Sequence, residues 1–150
     1  MTVIAYRDGV LVGDKLTHLN GMKGRVTKIF RRGDDMVGVA GTMTLALEMV
    51  QWLHDGADPK QLPAFQKTAD DSQQLMVIRE RKIWLYEWGH TPFEAELNYY
   101  AIGSGAPYAM AAMWCGKNAI EAVVCASELN TSCGMGMDIL RDKAAEALAV

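Results

Sequence analysis

The order in which strand-like and helix-like segments follow one another constrains this 150-residue chain more than any other feature. Short runs with two-residue alternation open it, joined by polar or glycine-containing turns. One helical stretch follows, then more strands, then two helices and a last strand. Strands that succeed one another through tight turns pair antiparallel, because a parallel pair needs a long crossover. The order therefore predicts an α+β fold, with antiparallel sheets and helices packed outside them, rather than a doubly wound parallel sheet.

Val3–Tyr6 and Val10–Gly13 read as a hairpin around Arg7-Asp8-Gly9. A two-residue Asp-Gly turn would pair Arg7 with Val10. A three-residue loop with Gly9 left-handed would pair Tyr6 with Val10 and set Thr2 opposite Asp14. Only the second register places a carboxylate on the face of the Thr2 hydroxyl, since a one-residue slip turns over every side chain. The three-residue loop is the expected one. After Asn20-Gly21 and Gly24, a third strand is predicted from about Arg25 to Phe30, with Val26, Lys28 and Phe30 on one face. Lys28 is then a cation among apolar neighbours, either snorkelling at a sheet edge or functional.

Arg31 to Asp35 forms a polar turn, and Met36–Ala40 a fourth strand. Gly41-Thr42 opens a helix to about His54, with Met43, Ala46, Leu47, Val50 and Leu53 as its apolar stripe and Gly56 as its stop. Residues 57–72, with Pro59 and Pro63, carry the weakest pattern. Two strands follow, Leu75–Arg79 and Ile83–Glu87, around Glu80-Arg81-Lys82, and a short one lies near Tyr99–Ile102. The turn Gly103-Ser104-Gly105-Ala106-Pro107 leads into a helix ending at Cys115. Asn118 and Glu121 make a capping box for a helix from Ala119 to about Leu129. Asn130-Thr131-Ser132-Cys133-Gly134 ends it, before a strand at Met135–Leu140 and a polar, Ala-rich tail. No internal repeat is visible, and a single domain over residues 1–150 is expected.

Charge and cysteine usage remove several function classes. A net charge of −3 and a pI near 5.6 leave no basic footprint for nucleic acid. No segment is long and apolar enough to cross a membrane, and Arg7 and Asp8 interrupt any signal-like apolar core, so a cytoplasmic protein is expected. Cys115, Cys125 and Cys133 lack paired zinc-site spacing and are expected to be reduced thiols. His18, His54 and His90 do not fall at ligand spacing with acids or cysteines, so neither a metal nor a cofactor is predicted. Gly103-Ser104-Gly105 lacks the Lys-Ser/Thr of a P-loop.

Thr2 is the residue with the most chemistry to offer. A small residue after Met1 permits removal of the methionine. Thr2 would then carry a hydroxyl nucleophile and a free α-amine that can accept its proton. The plain alternative is that Thr2 is merely the second residue of a chain, as in many proteins.

Taken together, the pieces resemble the proteasome β-subunit family, most closely its HslV-type peptidase branch, and suit a compact, phage- or prophage-like member. The resemblance rests on Thr2, the Asp-Gly hairpin ending in Gly13-Asp14, the run Met22-Lys23-Gly24-Arg25-Val26-Thr27-Lys28, and Val37-Gly38-Val39-Ala40-Gly41-Thr42 before the first helix. Its most specific point is Ala101-Ile102-Gly103-Ser104-Gly105-Ala106-Pro107-Tyr108-Ala109, and it covers residues 2 to 140 or so. The resemblance implies a four-layer αββα sandwich of the N-terminal-nucleophile (Ntn) hydrolases and assembly of copies into stacked rings. It further implies Thr2 as nucleophile with its own amine as base, Asp14 and Lys28 beside it, Ser104 at the amine, and the Gly41 N–H as oxyanion hole. Thr17, Ala40 and Thr42 would bind substrate. The implied activity is threonine-type cleavage of unfolded polypeptides, fed by a separate ATP-dependent unfoldase. The opening hairpin is shorter than in the usual member, and Asn130 and Cys133 stand where many proteasome subunits carry Asp-x-x-Ser-Gly. A catalytically silent ring subunit, or an amidohydrolase acting on a small amide, are the alternatives.

Overall fold

The computed structural model describes residues 1–61, 74–87 and 91–149. From the N-terminus, the strands are β1 (Ile4–Arg7), β2 (Val10–Asp14), β3 (Leu16–Leu19), β4 (Met22–Arg25), β5 (Ile29–Arg32) and β6 (Asp35–Ala40). Helix α1 (Met43–His54) and a 3-10 turn at Pro59–Gln61 follow. Next come β7 (Gln74–Arg79), β8 (Lys82–Glu87), β9 (Phe93–Ala95) and β10 (Tyr99–Ile102). Helices α2 (Ala106–Trp114) and α3 (Ala119–Leu129), strand β11 (Met137–Arg141) and helix α4 (Lys143–Leu148) complete the chain.

Two antiparallel sheets form the middle of the molecule, one ordered β10-β1-β2-β11 and the other β5-β6-β7-β8-β9. Strand alternation sorts their side chains into three cores. Ile4, Tyr6 and Leu11 from the first sheet meet Ile29, Met36, Met76, Ile78 and Leu85 from the second, gluing the sheets face to face. Val3, Ala5 and Val12 point the other way, onto α2 and α3. Those helices present Ala109, Ala119, Ala122 and Ala126, small residues that let them lie close on the sheet. On the far side Val37, Val39, Leu75 and Val77 pack against Ala46, Met49, Val50 and Leu53 of α1. The layers therefore run helix, sheet, sheet, helix: the αββα sandwich. Each fully buried Ile, Leu or Met contributes about 1.5–3 kcal/mol, so these three cores dominate the stability.

Turn chemistry corrects the expected hairpin. β1 and β2 pair Arg7 with Val10 and Ile4 with Gly13, so the loop has two residues, Asp8 and Gly9. Both are left-handed, with φ of 50° and 80°, the primed turn whose twist matches that of the strands. Asp14 consequently lies across from Val3, its N–H donating to the Val3 carbonyl at 3.1 Å, and not across from Thr2. A second primed turn at Asn20-Gly21 (φ of 52° and 79°) joins β3 to β4 in a separate two-stranded hairpin. The single strand expected from Arg25 to Phe30 is thereby divided: Arg25 ends β4, and β5 begins only at Ile29. Glu80 and Arg81 form a third two-residue turn, which brings Lys82 into β8.

Helix α1 is rotated relative to the expected stripe. It buries Ala46, Met49, Val50, Trp52 and Leu53, whereas Leu47 is exposed. Trp52 draws the helix round, stacking edge-on against Tyr86 and donating its Nε1–H to the Asp58 carbonyl at 2.8 Å. Helix α3 runs from Ala119 to Leu129 with both capping-box bonds formed, Asn118 Oδ1 accepting from Glu121 N–H at 2.8 Å. Residues 62–72 of the weakly patterned segment, and His90, lie outside the described residues.

Candidate active site

A lysine and an aspartate with no access to water sit at the open end of the β1–β2 hairpin. Lys28 is 1% exposed and Asp14 0%. Their Nζ–Oδ1 separation is 2.8 Å. Asp14 ends β2, where the ladder stops and the chain turns away into β3, so its carboxylate can collect backbone donors from three directions. Oδ1 also accepts from Val3 N–H (3.0 Å), and Oδ2 from Leu16 N–H (3.3 Å) and Gly134 N–H (3.0 Å). Four donors satisfy the buried carboxylate, which would otherwise be costly to hold as an ion. Lys28 lies just ahead of β5, its carbonyl accepting from Val39 N–H at 3.0 Å. A snorkelling lysine keeps its ammonium in water. Lys28 instead points inward and donates to the Met1 carbonyl oxygen at 3.0 Å.

The same carbonyl accepts from the Thr2 hydroxyl at 2.8 Å. Thr2 is itself buried, 4% exposed, and three bonds pin its backbone. Its N–H donates to Ser104 Oγ at 3.1 Å, and its carbonyl accepts from Gly105 N–H at 2.9 Å and from Ser104 Oγ at 3.5 Å. Gly103 makes the approach possible. Its φ of +95° is left-handed, and a Cβ there would overlap the Thr2 carbonyl. The Gly-Ser-Gly turn thus holds the threonine through backbone contact and a single hydroxyl.

Behind Ser104 stands the turn that ends α3. Asn130 Nδ2–H donates to the Ser104 carbonyl at 3.2 Å, while its Oδ1 accepts from Ser132 N–H at 2.9 Å. Asn130 therefore both finishes the helix and braces the serine. Burial pushes the pKa of the Cys133 thiol up, with the Asp14 charge adding to the effect against a weaker downward pull from Ser104. Gly134 then reaches Asp14 as described, so one turn supports both the serine and the aspartate.

The electrostatics act on the amine as well. Burial, and then the Lys28 ammonium, hold the Met1 α-amino group below its ordinary value, against weaker upward pulls from Cys133 and Asp14. An amine in this setting is neutral, and so able to take a proton, at a lower pH than a free one.

Thr2, Lys28 and Ser104 line a cleft of about 740 Å³. Its walls include Thr17 from β3 and the Ala40-Gly41-Thr42 corner between β6 and α1. All eight residues singled out from the sequence are thus brought to one place, with Asp14 beneath the cleft floor and the others on its surface. Sequence reasoning did not find the roles of His18 and of the Gly134 N–H. His18 Nδ1 lies 3.1 Å from the Met1 sulfur at the cleft edge. The signal for the first was the Asn-Gly turn, which folds residues 16–25 over the cleft. For the second there was none, because the contact spans 120 residues.

No protein-family pattern matches the chain, and no curated protein matches it significantly. Solved structures do. BPH from Thiobacillus denitrificans superposes with a TM-score of 0.67 at 22% identity, over 95% of this chain and 98% of that one. The same protein in complex with epoxomicin gives 0.66 at 21%, with the same coverage. The eukaryotic HslV of Trypanosoma brucei gives 0.67 at 17%, over 93% of this chain and 97% of that one.

The fold is the HslV-type Ntn-hydrolase sandwich.

At these identities the likeness concerns the fold. The superposition takes in nearly the whole of both chains, so among the described residues this fold accounts for all the main elements.

Proposed function

We propose that the chain is a threonine-type endopeptidase in which Thr2, freed of Met1, is the nucleophile. The observation that supports this most strongly is the buried Lys28–Asp14 pair directed at the carbonyl beside the Thr2 hydroxyl. Buried ion pairs are weak devices for stability, so a lysine and an aspartate buried together beside a hydroxyl on a cleft favour a catalytic role.

Loss of Met1 leaves an amine at the Thr2 nitrogen, within reach of Ser104 Oγ, and opens the space its carbonyl fills. The amine accepts the hydroxyl proton as Thr2 Oγ1 attacks the substrate carbonyl carbon. The Lys28 ammonium, held by Asp14, favours the developing alkoxide over the hydroxyl. The Gly41 N–H takes the oxyanion, an interaction worth about 3–4 kcal/mol in comparable sites. Collapse breaks the C–N bond as the Thr2 ammonium returns its proton to the leaving nitrogen, which expels the amine product, leaves an ester on Thr2 and restores the neutral α-amine. Water, deprotonated by the α-amine, then releases the acid product.

The same resemblance extends to a single-domain cytoplasmic subunit that assembles with its copies into stacked rings, acting on unfolded polypeptides delivered by an ATP-dependent unfoldase. Casein degradation by purified protein is expected, and to vanish in Thr2→Ala while assembly, followed by gel filtration, persists. Activity surviving that substitution would sink the nucleophile assignment. Hydrolysis of small amides without casein breakdown would favour a small-amide hydrolase. One observation favours a silent ring subunit: while Met1 stays, Thr2 N is an amide and its hydroxyl and Lys28 are both engaged by the Met1 carbonyl.

A further inference from the structure

The peptidase reading leaves open which substrate side chain the cleft prefers. Met1 indicates where that choice is made. Its carbonyl lies against both Thr2 Oγ1 and Lys28 Nζ, which places Met1 on the acyl side of the nucleophile. Its side chain runs along the cleft and brings its sulfur to 3.1 Å from His18 Nδ1. A thioether sulfur only accepts, so the ring nitrogen is the donor and carries its hydrogen at Nδ1.

We propose that His18 selects the residue preceding the scissile bond, favouring hydrogen-bond acceptors (glutamate, glutamine and methionine) over lysine and arginine. This rests on the peptidase reading of the same site. The charge distribution supports it. The cleft lining contains Lys28 and His18 but, among the described residues, no aspartate or glutamate. Lys28 is already neutralised by Asp14 beneath it. On the hairpin, His18 pairs directly across from Lys23, so its neighbour on the adjoining strand is a cation. A carboxylate entering here gains a charge-assisted bond, whereas a guanidinium or ammonium finds no carboxylate to pair with among the described lining residues. His18 is exposed, on a hairpin outside both sheets, so replacing it leaves the three cores untouched.

The test reads binding without turnover. The Thr2→Ala protein is prepared with methionine aminopeptidase and shown by intact mass to begin at residue 2. Acetyl-Ala-Ala-X-amide peptides, with X as Glu, Gln, Met or Arg, are titrated by calorimetry. The Glu peptide should bind about tenfold more tightly than the Arg peptide, the scale of one charge-assisted hydrogen bond in a partly solvated site. In the same background His18→Ala should erase the difference, and His18→Asp should reverse it at unchanged Tm. A ratio indifferent to residue 18, an Arg preference with His18 present, or no binding of any peptide would each overturn the proposal. Failure of the nucleophile assignment is read separately, as absent casein breakdown by the Thr2 protein, and leaves these ratios measurable.

Discussion

An ion pair lies near each end of the β1–β2 hairpin, and the two have the same length but different physics. At the turn end, Arg81 Nε meets Asp142 Oδ2 at 2.8 Å with side chains 49% and 25% exposed. At the open end, Lys28 meets Asp14 at the same distance, with side chains 1% and 0% exposed. The outer pair is a brace. Asp142 caps α4 through Ala145 N–H at 2.8 Å, and its own N–H donates to the Gly9 carbonyl at 2.8 Å, tying the tail to the turn. Water solvates both partners, so little is at stake if one is lost. The inner pair is shielded from water, and Asp14 needs three backbone donors besides Lys28 to remain there. A chain gains little stability from such a pair compared with packed apolar residues. What it gains is a fixed cation beside a hydroxyl.

Breaking the inner pair should have the largest effect. Lys28→Ala leaves an uncompensated buried carboxylate, and chemical denaturation should show a loss of about 3–5 kcal/mol. Peptidase turnover should fall with it. Unchanged kinetics would remove Lys28 from the site. Next comes the pH dependence of kcat/KM. Thr2 is buried and the Lys28 ammonium points at the carbonyl beside it, so desolvation and like charge should lower the pKa of a Thr2 amine. The rising limb should therefore lie below the ordinary α-amino value of about 8. A limb at or above that value would mean the amine is solvated, or is not the base.

At the outer end the expected changes are smaller. Asp142→Ala removes the α4 cap and should cost about 1 kcal/mol in thermal unfolding, with no change in turnover. The Arg81 hydrogen bond holds the Asp142 carboxyl below the usual value. Its stabilisation is therefore present above the unfolded-state carboxylate pKa and is lost as pH falls through the folded one. Asp142→Asn, which still caps, should flatten that part of the acid-unfolding curve. Arg81→Ala should have the smallest effect of all, shrinking further in high salt. An outer substitution that reduced turnover would show that the two ends are coupled.

Local chemistry explains which parts of this molecule could be read in advance. Asn118 and Glu121 announced α3 because a capping box is complete within four residues, and Gly56 marked the end of α1 for the same reason. Antiparallel sheets with helices outside them followed from the element order and tight turns, whereas the four-layer αββα order came from the resemblance. The β1–β2 register was misjudged, since a two-residue and a three-residue loop both suit Asp8-Gly9 and only the left-handed φ of Asp8 separates them. The expectation that Asp14 faces Thr2 directly failed for the same reason. The carboxylate is linked to the threonine through Lys28 and the Met1 carbonyl that the Thr2 hydroxyl also bonds, a link that survives the one-residue slip because the lysine side chain is long. The stripe of α1 was misplaced because Trp52 finds Tyr86, 34 residues further on, a contact outside the range of any periodicity. The gathering of Thr2, Lys28, Ser104 and the Ala40–Thr42 corner on one cleft came from the resemblance. No spacing rule brings residues 2, 28 and 104 together.

The central claim is that Thr2 carries a hydroxyl and a competent amine together, activated by Lys28. An intact-mass spectrum of the purified protein, taken before and after treatment with epoxomicin, tests it most directly, because an epoxyketone warhead needs both groups. The account predicts a mass lacking Met1 that gains one inhibitor, with no gain in Thr2→Ala. A chain without Met1 that takes up no inhibitor, or an adduct that persists in Thr2→Ala, would contradict it.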